Sequence, residues 1–265
     1  MSVTALVPYT VNAFNSARDS ENKIHDNTVA SAFGFRGGLV PGVDVYAYMT
    51  HVAVARWGRA FLERGHATCR FLKPVYDGED ATVTANETPN GLDIRVESHG
   101  VLCAAGEASL ADGAPPLEAL APVLPSGTRL PADETSLAPG TLLGIKPLRV
   151  DAEFAANYLD DLRETDPLYR DEGLVHPGVI LRTCNWALTQ NVILGPWIHV
   201  GSAVQHVAAA KVGDDIALHA RVSANYERKG HRFVELDGVV LSNAHTPVAH
   251  ITHTAIYRLR GAAPA

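Results

Sequence analysis

The chain repeats one short motif at a nearly constant distance. Gly38-Leu39-Val40-Pro41-Gly42 precedes a long apolar run, and Gly173-Leu174-Val175-His176-Pro177-Gly178 precedes another. The closing glycines are 178 − 42 = 136 positions apart. A second pair of landmarks, Gly78-Glu79-Asp80 and Gly213-Asp214-Asp215, is 215 − 80 = 135 positions apart. Two landmarks at nearly the same offset in 265 residues predict two copies of one domain.

A proline-rich segment separates the two copies. Residues 113–147 contain seven prolines, each of which fixes φ and removes a backbone donor. This composition predicts an extended interdomain linker that runs over the surface. The predicted organisation is therefore a first repeat at 1–112, a linker at 113–147 and a second repeat at 148–265.

Each half has the same order of predicted elements. An apolar segment follows the repeated motif, at Val43–Trp57 and at Val179–Leu188, and its apolar residues surround most of a helix, which predicts a buried helix. Segments rich in Val, Ile and Thr follow each helix and predict strands at 81–85, 93–96, 216–222 and 233–236, with hairpin turns at 89–91 and 229–230. The pattern predicts an α+β fold in which two antiparallel sheets, each wrapped around a helix, join edge to edge. Two independent α+β domains on a flexible linker are the alternative.

Composition and charge exclude several classes of protein. The net charge is −7 and there is no cluster of Lys and Arg, which argues against a nucleic-acid partner. No apolar run approaches the roughly 20 residues that span a bilayer, so no membrane association is expected. The first residues, Met1–Thr4, do not resemble a signal peptide, and a cytoplasmic location is expected. The three cysteines match no metal-site spacing, so neither a metal nor a cofactor is expected.

Only the first copy of the motif follows a polar segment with functional residue types. Asn22-Lys23-Ile24-His25, then five residues, then Ser31, leads to the glycine-rich segment that ends at Gly42. This pattern resembles the signature of the MaoC-like, (R)-specific enoyl-CoA hydratase branch of the hot-dog proteins. The segment from Phe71 to Asp80, an aromatic residue, a proline and then Gly-Glu-Asp, is similar to the family's downstream pattern.

The resemblance implies a double hot-dog chain with one catalytic half. The implied chemistry is the reversible addition of water to the α,β double bond of an acyl thioester, on coenzyme A or an acyl-carrier protein. His25 matches the catalytic histidine and Gly42 the glycine at the helix start, whose N–H would stabilise the enolate oxygen. Asn22 and Val43 are the implied substrate-binding residues. The sequence leaves open whether copies of the chain form a homodimer or a higher homo-oligomer.

One position departs from the family pattern. Five residues before His25, where the resemblance implies a catalytic aspartate, the chain has Ser20, and Asp19 lies next to it. Ser20 and Asp19 are therefore both candidate catalytic residues. Two other hypotheses stay open: a hot-dog thioesterase that uses Asp44 near the start of the helix, and a protein that binds acyl groups without chemistry. The second half lacks an Asn-x-x-His pattern, which predicts a structural role, with Asn185 or Gln190 as residues that would shape an acyl pocket.

Overall fold

The computed structural model describes residues 5–113 and 120–262. Residues 1–4 and two of the seven prolines of the predicted linker, Pro115 and Pro116, lie outside these ranges. None of the helices in the described ranges is both long and apolar enough to cross a membrane.

The helices are few and the strands are many. The helices are α1 (Asn27–Ala32), α2 (Gly42–Trp57), α3 (Arg59–Arg64), α4 (Ala152–Leu162), α5 (Leu168–Glu172) and α6 (Pro177–Asn191), with a 3-10 helix at Lys23–His25. The strands are β1 (Tyr9–Asn12), β2 (Gly65–Phe71), β3 (Asp80–Thr88), β4 (Gly91–Ser98), β5 (Val101–Leu110), β6 (Leu130–Pro131), β7 (Leu142–Gly144), β8 (Leu148–Arg149), β9 (Val192–Ile193), β10 (Ile198–His206), β11 (Asp215–Arg228), β12 (His231–Ser242) and β13 (Thr246–Arg258).

The two halves share one sheet. Its strand order is β1-β3-β4-β5-β2-β10-β13-β12-β11-β7, with β8 also paired to β11. The halves meet where β2 pairs antiparallel with β10, from Gly201 opposite Arg70 to Gln205 opposite His66. This pairing confirms the predicted continuous sheet, and the alternative of two independent domains is wrong. Joining β2 to β10 removes one exposed edge from each half, and exposed edges favour aggregation.

Two buried helices pack against the sheet. Helix α2 contacts strands β1 to β5 and β10, whereas α6 contacts β11, β12 and β13. Both helices cover their predicted segments, and most of their side chains are buried. The predicted hairpin turns are also confirmed, because Pro89 and Asn90 connect β3 to β4 while Lys229 and Gly230 connect β11 to β12.

Part of the predicted linker is interior. Leu124 and Leu130 are exposed, in agreement with a surface connector. Leu137 and Ile145, however, are completely or almost completely buried, and β7 between them pairs with β11. The prediction of a surface segment is wrong for this part, because proline removes a donor only at its own position. The apolar residues between the prolines remain free to pack on the second repeat. The boundaries at 112/113 and 147/148 stay a prediction.

Candidate active site

Asn22 joins the loop of the first half to a strand of the second. Its carboxamide caps the 3-10 helix, with Oδ1 accepting from the Ile24 amide at 3.4 Å. The same oxygen accepts from the Trp197 amide at 3.2 Å, while Nδ2 donates to the Trp197 carbonyl at 3.0 Å. Trp197 immediately precedes β10, so these bonds fix the loop against the second half. Asn22 is buried and its polar atoms are satisfied within the protein.

His25 is held as a neutral imidazole. Its Nδ1 lies 2.6 Å from the Leu39 carbonyl oxygen, which can only accept, so Nδ1 carries the proton. Nε2 therefore has a lone pair, to which Asn22 Nδ2 donates a long hydrogen bond of 3.3 Å. Burial lowers the pKa of His25, opposed by the bond to Leu39. The side chain can accept a proton at Nε2 at neutral pH.

The N-terminus of α2 is open. Pro41 is the N-cap residue, and no side chain caps the helix. The amides of Asp44 and Val45 donate to the Pro41 carbonyl, whereas those of Gly42 and Val43 make no hydrogen bond among the described residues. Free amides and the positive end of the helix dipole favour a negatively charged oxygen at this position.

Two cavities meet at His25. The first, of about 180 Å³, is mainly apolar and includes Ile24, Phe35, Leu39, Val45 and Phe71 in its wall. The second, of about 660 Å³, has more polar and charged side chains in its wall and is called the polar cavity; these include Ser20, Arg129, Lys146, Arg182 and Gln190. Both are bordered by Asn22, His25, Pro41, Asn185 and Trp197. The junction thus lies at the imidazole, beside the start of α2.

The structure brings most of the predicted site residues together. Gly42 lines the apolar cavity and Val43 the polar one. Ser20 lines the polar cavity, and its hydroxyl lies 3.4 Å from the Asn22 carbonyl oxygen. Asp19 is exposed and lines neither cavity. Among the described residues, no carboxylate forms a hydrogen bond with His25.

Asp44, the residue of the thioesterase hypothesis, is engaged in an ion pair. Its carboxylate is completely buried and lies 2.5 Å from the Arg182 guanidinium of α6. Ser16 donates to the same carboxylate at 2.5 Å, and the Tyr158 hydroxyl lies 3.4 Å from it. The sequence analysis did not identify Arg182, because its partner is 138 positions away.

The N-terminus of α6 is closed. His176 is the N-cap residue, and its Nδ1 accepts from the Gly178 amide at 3.1 Å. Nε2 therefore carries the proton and lies 3.5 Å from Glu164, whose carboxylate also bonds His51 at 2.8 Å. Burial tends to raise the pKa of Glu164, but the bonds from His176 and His51 outweigh burial and hold it well below its usual range.

A second histidine from the other half lies beside the start of α2. A Cβ placed on Gly42 would lie 2.9 Å from His199 Nδ1 and 3.0 Å from Phe71 Cε2. The absence of a side chain at Gly42 therefore allows both rings to approach the helix. His199 Nε2 lies 2.8 Å from the Ser202 hydroxyl. His199 was not predicted from the sequence, because no motif surrounds it and its place beside Gly42 depends on the pairing of the two halves.

The chain is similar to known proteins in its structure but not in its sequence. No protein-family model matches the sequence, and no curated protein matches it. A conserved hypothetical protein from Mycobacterium tuberculosis, described as having a double hot-dog fold, is similar with a TM-score of 0.67. The match has 14% identity and covers 96% of this chain and 95% of that one.

Two similar structures are described as dehydratases. The first is a putative MaoC domain protein dehydratase from Chloroflexus aurantiacus J-10-fl, with a TM-score of 0.62 and 12% identity over 97% of this chain and 95% of that one. The second is an N-terminal dehydratase from the difficidin assembly line, with a TM-score of 0.52 and 12% identity over 98% of this chain and 94% of that one. The chain has a double hot-dog fold, as its sequence predicted.

Proposed function

We propose that the chain is a MaoC-like hydratase or dehydratase that acts on an enoyl or 3-hydroxyacyl thioester of coenzyme A or an acyl-carrier protein. The observation that carries this proposal is the neutral His25, with its Nε2 lone pair at the junction of two cavities and beside the uncapped start of α2. A base and an oxyanion site in one place are what hydration of a thioester needs.

The two cavities fit the two parts of such a substrate. The apolar cavity suits the acyl chain, because burying its methylene groups is favourable. The polar cavity, with Lys146 and the Arg129–Glu21 ion pair in its wall, suits the phosphate-bearing carrier. The thioester would then lie at the junction, between His25 and Gly42.

Hydration needs only one titratable group in this arrangement. His25 Nε2 exchanges its contact with Asn22 Nδ2 for a water molecule and takes a proton from it as the hydroxyl oxygen bonds to the third carbon of the enoyl group. Electrons of the double bond move to the thioester oxygen, which the free amides of Gly42 and Val43 stabilise. The imidazolium then returns the proton to the second carbon. Ser20, in the wall of the polar cavity, would help to position the water.

The test is hydration of crotonyl- to dodecenoyl-CoA, followed as loss of enoyl absorbance. We expect His25→Ala to lower kcat/KM by about 10²- to 10⁴-fold, the usual contribution of a general base. His245→Ala, at an exposed turn residue, is the matched control and leaves the rate unchanged. Since burial lowers the pKa of His25, kcat/KM of the wild type should fall on the acid side with an apparent pKa below 6.5. No turnover at any chain length would contradict the proposal.

A second candidate is a protein that binds acyl thioesters without chemistry. It is favoured by the absence, among the described residues, of a carboxylate bonded to His25. Ser20→Asp separates the two candidates, because it places a carboxylate in the wall that His25 shares. A measurable gain of hydration supports an enzyme site, whereas tight acyl-CoA binding with no hydration in either protein supports the second candidate.

A further inference from the structure

Three residues in the wall of the apolar cavity each have a buried polar atom without a hydrogen-bond partner among the described residues. The atoms are Asn185 Oδ1, Trp197 Nε1 and His199 Nδ1. All three belong to the second half. Trp197 and His199 are more than nine-tenths buried as whole residues, while Asn185 is partly exposed.

The buried polar side-chain atoms that the first half contributes to the cavity wall, unlike these three, have hydrogen-bond partners. There, the Asn22 carboxamide and His25 Nδ1 are fully bonded to backbone groups. A buried polar atom without a partner is unfavourable, and such atoms in native proteins call for an explanation. A ligand group in the cavity that bonds them supplies one.

The surroundings of His199 keep its unpaired nitrogen next to α2. Ser202 holds the opposite nitrogen, and the Ser202 hydroxyl lies 3.1 Å from His253 Nδ1. The His199 and His253 rings pack with their centroids 4.1 Å apart. Nδ1 of His199 is therefore fixed beside Gly42, where the apolar cavity adjoins the start of the helix.

The chemistry of the three atoms selects the group they would bind. The Trp197 indole N–H only donates, and the Asn185 carbonyl oxygen only accepts. A hydroxyl both donates and accepts, so it can pair with either residue, whereas a keto oxygen can pair with Trp197 but not with Asn185. An alkyl chain would leave all three atoms unpaired.

We propose that Asn185, Trp197 and His199 form a hydrogen-bonding subsite for a hydroxyl group on the acyl chain, beyond the carbons that react. This inference rests on the proposed function, because it takes the occupant of the cavity to be an acyl thioester. The second half then contributes to substrate specificity in addition to its structural role.

The test measures binding by calorimetry with saturated thioesters, which cannot be hydrated. The probes are hexanoyl-CoA and its counterparts hydroxylated at the third, fourth, fifth or sixth carbon. We expect one of the 4-, 5- and 6-hydroxy probes to bind the wild type about tenfold more tightly than hexanoyl-CoA does. This is the gain from one well-placed hydrogen bond. Asn185→Leu and Trp197→Phe should each reduce this preference to within about twofold.

His206→Leu is the matched control. His206 is also a buried histidine of β10 with an unpaired ring nitrogen, but it packs against Phe61 and not against the cavity. This variant should keep the tenfold preference.

Equal affinity of the wild type for hexanoyl-CoA and the hydroxylated probes would overturn the inference, with no need for any variant. A preference for the 3-hydroxy probe alone would also overturn it, because the subsite would then serve only the reacting carbons. If the wild type prefers a hydroxylated probe but does not hydrate enoyl-CoA, the proposed function is refuted and the subsite is retained. If it hydrates enoyl-CoA but shows no such preference, the subsite is refuted and the proposed function is retained.

Discussion

The two repeats begin their buried helices with the same residues but use the helix ends differently. The start of α2 is uncapped and adjoins two cavities, whereas His176 caps α6 and itself lies 3.5 Å from Glu164. The difference arises from one extra residue. Leu39 and Leu174 are 174 − 39 = 135 positions apart, but Gly42 and Gly178 are 178 − 42 = 136 apart. The extra residue lies in His176-Pro177, where the first repeat has Pro41 alone.

A duplicated fold can therefore divide stability and function between its copies. In α6 the positive helix end is satisfied by a side chain of the same chain, which favours folding. In α2 the same end is left available to a ligand, and the cost is offset by the packing of α2 within the sheet. The second repeat also supplies Trp197 and His199 to the wall of the apolar cavity beside α2.

The largest expected effect concerns the ion pair between the halves. Asp44 and Arg182 have no counterpart pair, since at an offset of 136 their equivalents are Ile180 and Tyr46. Asp44→Asn leaves the Arg182 charge without its partner and should lower the free energy of unfolding by about 3–5 kcal/mol. Asp44→Asn combined with Arg182→Met should recover most of this loss. Chemical denaturation measures both.

The same substitution tests the thioesterase hypothesis. If Asp44 serves the ion pair, the wild type releases no free thiol from acyl-CoA. Thiol release that Asp44→Asn abolishes in a protein of unchanged stability would favour hydrolysis and contradict this account.

A smaller effect is expected at the two helix glycines. A Cβ at Gly178 would overlap the Tyr158 hydroxyl and lie 2.9 Å from Ala47 Cβ of α2. Gly178→Ala should therefore cost about 1–3 kcal/mol of unfolding free energy with little change in kcat/KM. Gly42→Ala displaces His199 and Phe71 from the cavity wall, so it should mainly lower kcat/KM. Denaturation and hydration assays on both variants check this prediction. A loss of kcat/KM in Gly178→Ala together with a loss of stability alone in Gly42→Ala would contradict the roles assigned to the two halves.

The sequence was sufficient for the features that depend on local pattern. The motif offset predicted the duplication, and segments rich in Val, Ile and Thr between turn residues predicted the strands. The segment around Asn22 and His25, which the resemblance indicated as a candidate site, borders both cavities. It did not predict the contacts that cross between the halves. Asp44 with Arg182 and Asn22 with Trp197 are separated by 138 and 175 positions, and no periodicity encodes such pairs.

The partner of His25 could not be predicted either. Ser20 and Asp19 were both candidates because a shift of one residue in a loop reverses which side chain faces inward. The structure places Ser20 in the wall of the polar cavity and Asp19 in solvent. Loop geometry of this kind depends on tertiary bonds, such as those from Asn22 to Trp197, which sequence spacing does not contain.

The uncapped start of α2 is proposed to stabilise the reacting oxygen, and Pro41→Asp tests this role most directly. A carboxylate at the N-cap would bond the free amides and repel the enolate oxygen. We predict that kcat/KM for enoyl-CoA hydration falls about 10²-fold or more, with folding retained. His176→Ala, the matched change in the other repeat, should lower the free energy of unfolding by about 1 kcal/mol for the lost cap, and further for the lost contact with the buried Glu164, and leave kcat/KM unchanged. Undiminished hydration by Pro41→Asp would contradict the claim that this helix end stabilises the reacting oxygen.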